Sequence, residues 1–319
     1  MSNDKSLKGH AALLAASVMF GLNAPIGKSV LNEFSALSVT TFRMVGAAAA
    51  FWIFSIFMPK EHVNHKDMLR LFFAALFGVV FNQGMFVFGL SLTSPIDASI
   101  ITTTSPIITM IIAAIYLKEP VTNKKVIGIF IGAMGALMLI LSNPGKTGGG
   151  SNPILGDLLC LVAQFSFSIY LTVFKDLIGK YSPVTVSKWL FIYASLCYIP
   201  FSYHDVTAID YMNIPTDMLI QIGYVVLVAT FLAYICMMTG QKLLRPTIVS
   251  MYNYVQPIVA SIVAVVLGMD TFGVQKGIAV GLVFLGVYIV TQSKSRAQLE
   301  GSEALQPSSP AEDESKIKH

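Results

Sequence analysis

The sequence predicts an all-α membrane protein in which ten transmembrane helices form two inverted five-helix repeats. Three observations lead there. The first is composition: of 319 residues 55% are hydrophobic and only 12% charged, and the mean hydropathy is +0.70. Soluble domains carry about a quarter charged residues. The second is self-similarity. Pro106 recurs as Pro257, 151 positions on, and the same offset pairs Gly89 with Gly240, Pro95 with Pro246, Ser99 with Ser250, Ala113 with Ala264 and Glu119 with Asp270. The third is where Lys and Arg fall, because they accumulate in cytoplasmic loops.

A spanning helix needs roughly 20 mostly apolar residues. The first repeat, 1–142, supplies candidates at 10–31, 37–58, 68–90, 97–117 and 122–142. Lys5 and Lys8 before an apolar run, with Ala15-Ala16-Ser17 inside it, mimic a signal peptide. The run continues to Leu31, however, and the second repeat has an equivalent helix, so it is read as a span. The stretch 143–153 is rich in Gly, Pro and Ser and reads as a flexible linker. The second repeat, 154–293, supplies 154–175, 183–203, 217–239, 246–267 and 272–292. The polar tail 294–319 is expected to be disordered. In the first two helices of each repeat the offset is 147, pairing Lys28 with Lys175, Ser35 with Ser182 and Val39 with Val186. The slip is expected in the loop after the second helix. Gly128, Gly132 and Gly135 answer to Gly277, Gly281 and Gly286, as residues that let helices approach closely.

With the N-terminus inside, the inner segments hold Lys5, Lys8, Lys60, Lys66, Arg70, Lys118, Lys124, Lys125, Lys175, Lys180, Lys188, Lys242 and Arg245, then Lys294, Arg296, Lys316 and Lys318. The outer segments hold Lys28, Lys146 and Lys276. Both termini are therefore expected in the cytoplasm. Five helices per unit is an odd number, so the second unit enters from the opposite side. Inverted repeats suit alternating access.

Phe20-Gly21-Leu22-Asn23-Ala24-Pro25 in the first helix, Thr41-Phe42-Arg43 in the second, and the stretch from Pro106 to Glu119 followed by Gly128, Gly132 and Gly135 resemble the EamA-type carriers of the drug/metabolite transporter superfamily. The resemblance covers about 9–293. It implies a multi-pass carrier of the bacterial inner membrane, often an exporter of amino acids or other small metabolites, and it does not fix the substrate. One departure is Leu190, where the second unit has no counterpart to Arg43.

Paired interruptions of apolar helices point to the substrate site of a carrier. Pro106 and Pro257 remove backbone donors, and the freed carbonyls must face protein or a water-filled cavity. Thr103 and Ser105, with Thr102, Thr104 and Thr109, surround the first interruption; Asn253, Tyr254 and Gln256 surround the second. These groups either orient a polar substrate or satisfy the freed carbonyls. Arg43 either holds a substrate carboxylate or has a structural partner such as Glu33 or helix-end carbonyls. Asn23, Asn82 and Gln83 either line a cavity or bond between helices. Trp189 and Tyr193, one turn apart, form either an apolar wall for a ligand or plain packing. Substrate is expected between the halves, near Asn23, Pro25, Pro106 and Pro257. Lys28, Asp97, Glu119, Lys175 and Asp270 fall at helix ends.

No Asp, Glu or His sits at the centre of a helix, so no obligatory proton coupling through a buried carboxylate is expected. Cys160, Cys197 and Cys236 lie in apolar segments without metal spacing. No cofactor or metal, no enzymatic activity and no nucleic-acid partner are expected. The expected partners are a small-molecule substrate, the lipid bilayer and a second copy of the chain in a homodimer. An intramembrane enzyme or lipid-type carrier, and a channel, are the competing readings. The first needs convergent acids or a metal site at membrane depth, and the last a continuous polar stripe.

Overall fold

The computed structural model describes residues 2–93, 98, 101–141, 152–266 and 273–293. Linker residues 143–151, the tail, Asp97 and Asp270 lie outside them, as do the side chains of Pro25 and Lys28. The described elements are helices, with no strand among the described residues. α1 is Ser2–Glu33 and α2 Ala36–Ile56. α3 is the continuous run His65–Leu92, α4 is Ser105–Tyr116 and α5 is Asn123–Leu141. α6 is Pro153–Val173, followed by the short helix Lys175–Lys180, and α7 is Pro183–Thr207. α8 is Thr216–Leu243. α9 comes in two pieces, Pro246–Met251 and Val255–Val266, joined by a 3₁₀ turn at Tyr252–Tyr254. α10 is Val274–Thr291. By length and composition α2, α3, α6, α7, α8 and α10 are apolar enough to cross a membrane. Large apolar side chains such as Ile56, Ile115, Phe130 and Phe201 cover the outside, as they do on a surface facing lipid.

Equivalent positions do equivalent work. Ser35 caps α2 by accepting the Ser38 N–H, and Ser182, 147 positions on, caps α7 by accepting the Thr185 N–H. The slip of four residues is not in the loop. The connections 57–64 and 208–215 are equal in length, whereas α2 has 21 residues and α7 has 25. An insertion of about one turn lengthens a helix while keeping its faces in register. The added turn carries Asp205, whose carboxylate accepts a 2.6 Å hydrogen bond from Ser35 Oγ. α3 and α8 then start 151 positions apart, and both run for 28 residues.

Exchanging the halves also preserves the neighbours. α1 lies against α8 and α9; α6 lies against α3 and α4. α2 runs along α7, and α5 along α10. The main core, which includes Met44, Phe51, Tyr170, Phe191, Tyr234 and Tyr254, draws on both units. Between α5 and α10 the backbones nearly touch. A Cβ on Gly286 would sit 2.6 Å from Gly128 O and Gly132 N, and one on Gly135 would sit 2.6 Å from Ala279 O. Gly281 differs from the packing expected of it: a Cβ there meets nothing within 4 Å.

Two features depart from plain helix. α3 and α8 each contain a nine-residue π segment, Leu76–Gly84 and Tyr224–Leu232. α4 and α9 are broken just before their prolines, by a turn at 103–104 and by the 3₁₀ turn respectively. Pro106 is therefore not a kink inside a continuous helix. It stands in the first turn of a new one, where a missing N–H costs nothing.

The Gly281 and Gly286 environments predict opposite outcomes. Gly286→Ala forces α5 and α10 apart and destabilises by about 1–3 kcal/mol. Gly281→Ala stays within about 0.5 kcal/mol. Thermal denaturation of the solubilised protein measures both; equal losses would contradict the contact.

Candidate functional site

The irregular stretches leave backbone carbonyls without helical partners, and side chains supply replacements. In the first π segment Ser166 Oγ donates to Phe77 O at 2.8 Å and Tyr198 Oη to Val80 O at 2.9 Å. In the second, Thr230 Oγ1 donates to Val225 O at 2.7 Å. At the α4 break, Thr102 Oγ1 donates to Ala98 O, Thr104 Oγ1 to Ile101 O, and Tyr254 Oη to Thr103 O at 3.1 Å. The hydroxyls near this break thus satisfy backbone, one of the two uses open to them.

Between α1, α2, α3, α6, α8, α9 and the stretch just before α4 lie two joined cavities, of about 910 and 640 Å³ with their open mouths included. Asn23, Arg43, Thr102, Asn253 and Gln256 line both, as do Phe20 and Phe86. Pro257 lines the first; Asn82, Gln83, Gln164 and Phe167 line the second.

Eight sequence-predicted residues therefore converge: Asn23, Arg43, Asn82, Gln83, Thr102, Asn253, Gln256 and Pro257. Pro25 is on α1, with its side chain outside the described residues. Thr103, Ser105 and Pro106 are buried and do not line the cavities. Ser168 Oγ, which accepts from Thr109 Oγ1 at 2.9 Å, lies 3.5 Å from Ser105 O, holding this turn against α6. Trp189 and Tyr193 also lie elsewhere. Trp189 meets Trp52, which is 40% exposed, edge-on, and Tyr193 meets Phe72. Their face of α7 points away from the cavity. Gln164 escaped the sequence reading, although a polar side chain amid the apolar α6 is the same kind of signal as Asn82. Phe86 gave no signal, since apolar residues in apolar helices look alike; Phe20 stood out only as part of the motif in the first helix.

Arg43 is 5% exposed and sits about 10 Å along α2 from its start. Its Nε–H donates to Thr230 Oγ1 at 3.0 Å. Among the described residues it makes no ion pair, so Glu33 is not its partner. Asn23 Oδ1 is buried with no hydrogen-bond partner. Asn82 Nδ2 donates to Ala163 O at 3.1 Å, and Gln256 Nε2 to Asn253 Oδ1 at 3.4 Å.

The two ends of the bundle differ. The first cavity reaches Leu31 at the end of α1, Val39 at the start of α2 and Leu90 at the end of α3. The opposite end is tied. Asp67 accepts from Lys180 at 2.5 Å and from Tyr181 at 2.7 Å; Arg70 forms a bidentate pair with Asp176. Lys242 donates to Tyr181 O, and Glu61 accepts the Ser182 N–H. Glu119 pairs with the buried Lys125 at 2.8 Å and with Lys175 of the other unit at 3.7 Å. Partial burial alone would raise the Glu61 carboxyl, but hydrogen bonds from Thr185 and Ser182 and the Lys242 charge outweigh it and hold it below its ordinary value.

The EamA-like transporter family model matches residues 7–141 and 154–292. A relative named an uncharacterized transporter, YyaM of Bacillus subtilis (strain 168), is 25% identical over 285 residues, covering 89% of this chain and 93% of its own. A WAT1-related protein of Arabidopsis thaliana is 26% identical over 304 residues, covering 86% of this chain and 75% of its own. A solved protein crystal structure shares the fold at a TM-score of 0.72 and 13% identity, covering 91% of this chain and 98% of that one.

Thr230→Val removes the hydrogen bond that Arg43 Nε–H makes to Thr230 Oγ1 and destabilises by about 1–3 kcal/mol, read by thermal denaturation; an unchanged protein would mean that this bond contributes nothing. Glu61, with its folded pKa depressed, stabilises above its unfolded value near about 4.3 and loses that contribution as pH falls through the folded value. Wild type should therefore lose more thermal stability than Glu61→Gln on going from about pH 6 to about pH 3. Parallel losses would remove Glu61 from the tied end.

Proposed function

The chain belongs to the EamA-like transporter family, and from that membership we propose that this membrane transporter is a secondary carrier of small organic metabolites, working by alternating access. The observation that carries the reading is the cavity between the halves, with a polar cluster set in a largely apolar lining, open towards one end and tied at the other. Exchange of the ties between ends is the movement that alternating access requires. The preserved neighbours under exchange of the halves support ten helices in two inverted repeats, 1–142 and 154–293. The Lys and Arg distribution supports both termini in the cytoplasm. The tied end is then the cytoplasmic one, and the cavity opens outward. The bacterial inner membrane as the location and export as the direction, with amino acids among the candidate cargoes, follow from the family resemblance. The substrate-contacting set we propose is Asn23, Arg43, Asn82, Asn253, Gln256 and Pro257.

α2 and α7 are joined at both ends, by Ser35 with Asp205 and by Ser182 with Glu61. They form the fixed spine. The contacts to be broken are those between α3 and the short helix Lys175–Lys180, and between Glu119 and Lys175.

Gln256→Cys, in a chain with Cys160, Cys197 and Cys236 replaced, reports on access. In oriented vesicles a membrane-impermeant thiol reagent should label it from the open side. Asp67→Asn with Arg70→Gln should add labelling from the tied side. Equal labelling from both sides of the unmodified gate would instead favour a channel, and no labelling from either side would sink the cavity as a pathway.

A further inference from the structure

Resting on the carrier reading, we infer that the cargo is an organic anion: one carboxylate, a neutral hydrogen-bond donor such as a hydroxyl, and an apolar body. The inference starts from charge. Of the residues lining the two cavities, Arg43 is the one that carries charge among the described residues. Its guanidinium is almost fully buried, has five N–H donors, and donates one of them to a neutral hydroxyl. A buried unpaired cation is costly, and a carboxylate matches its fork in bidentate fashion. No atom of Arg43 is among the buried side-chain atoms lacking a partner, so its remaining donors are not sealed into protein. The acids Glu33, Asp210 and Asp217 line a separate surface pocket and do not compensate it.

The second element is Asn23. It lines both cavities, and its Oδ1 is buried without a partner. An unsatisfied buried acceptor asks for a donor from the ligand. The donor has to be neutral. An ammonium would enter a site lined by amides, the Thr102 hydroxyl and one guanidinium, without a carboxylate among the described lining residues to offset its desolvation. An anion with a hydroxyl therefore suits the lining better than the zwitterion of an amino acid. The third element is the apolar wall, Phe20, Phe86 and Phe167, against which an aryl or alkyl body can lie.

The test uses purified full-length protein and four probes of one shape. They are 3-phenyllactate, 3-phenylpropionate, phenylalanine and 3-phenyllactamide, followed by calorimetry and by counterflow in proteoliposomes. Phenyllactate should bind tightest, with phenylpropionate and phenylalanine each weaker by about tenfold and the amide weaker still. Asn23→Leu should erase the advantage of phenyllactate over phenylpropionate, and Arg43→Gln should erase the advantage of phenyllactate over its amide. The wild-type ranking stands as a test even if Arg43→Gln does not fold. Phenylalanine binding as tightly as phenyllactate, or the amide doing so, would overturn the inference and leave the carrier reading intact. Binding by none of the four would overturn it too. The carrier reading falls only if, in addition, no solute from a panel of amino acids, sugars, nucleosides and organic cations is moved by the proteoliposomes.

Discussion

At membrane depth a backbone N–H or C=O has no water to bond, so every departure from regular helix needs a partner inside the protein. The rest of this structure depends on that constraint. The cavity exists because α3 and α8 widen into π segments and because α4 and α9 break. In the first unit each of these stretches is held by a side chain from the second. Ser166 and Tyr198 of the second unit hold Phe77 and Val80 of the first. Tyr254, from the α9 break, holds Thr103 at the α4 break. The two irregular helices of one unit are thus stabilised by the other, and the site and the interface between the units are one object.

The scaffold is near-symmetric and the site is not. Ser35 and Ser182 perform the same capping, and α1 with α8 repeats in α6 with α3. Arg43, by contrast, faces Thr230 and the cavity, while its counterpart Leu190 is fully buried in the apolar core. One lone cation polarises a cavity whose shape is shared between halves.

The ties at the closed end follow the same division. Those joining α2 to α7 occur at both ends and link the two units along their whole length. Those between α3 and the Lys175–Lys180 helix set the partly exposed Arg70, Asp176 and Lys180 around a buried Asp67, and the Arg70–Asp176 pair lies in the open. Exposed ion pairs contribute little each, which suits contacts that have to open and close.

The sequence by itself determined that the chain is helical and apolar, roughly where the apolar helices run, and which prolines and polar side chains interrupt them. These follow from local rules: apolar length, proline and cap chemistry, and polar side chains amid apolar runs. It did not reveal the π segments, because Leu76–Gly84 reads as ordinary apolar helix. It set the four-residue slip in a loop, because composition does not tell a longer helix from a longer connection. Nor did it separate Arg43 and Asn23, which reach the cavity, from Trp189 and Tyr193, which face outward. Which face of a helix is inward is decided by its neighbours, and here those neighbours come from the other unit. The partner of Arg43 lies 187 positions away in Thr230, a contact that only the folding of one unit against the other creates.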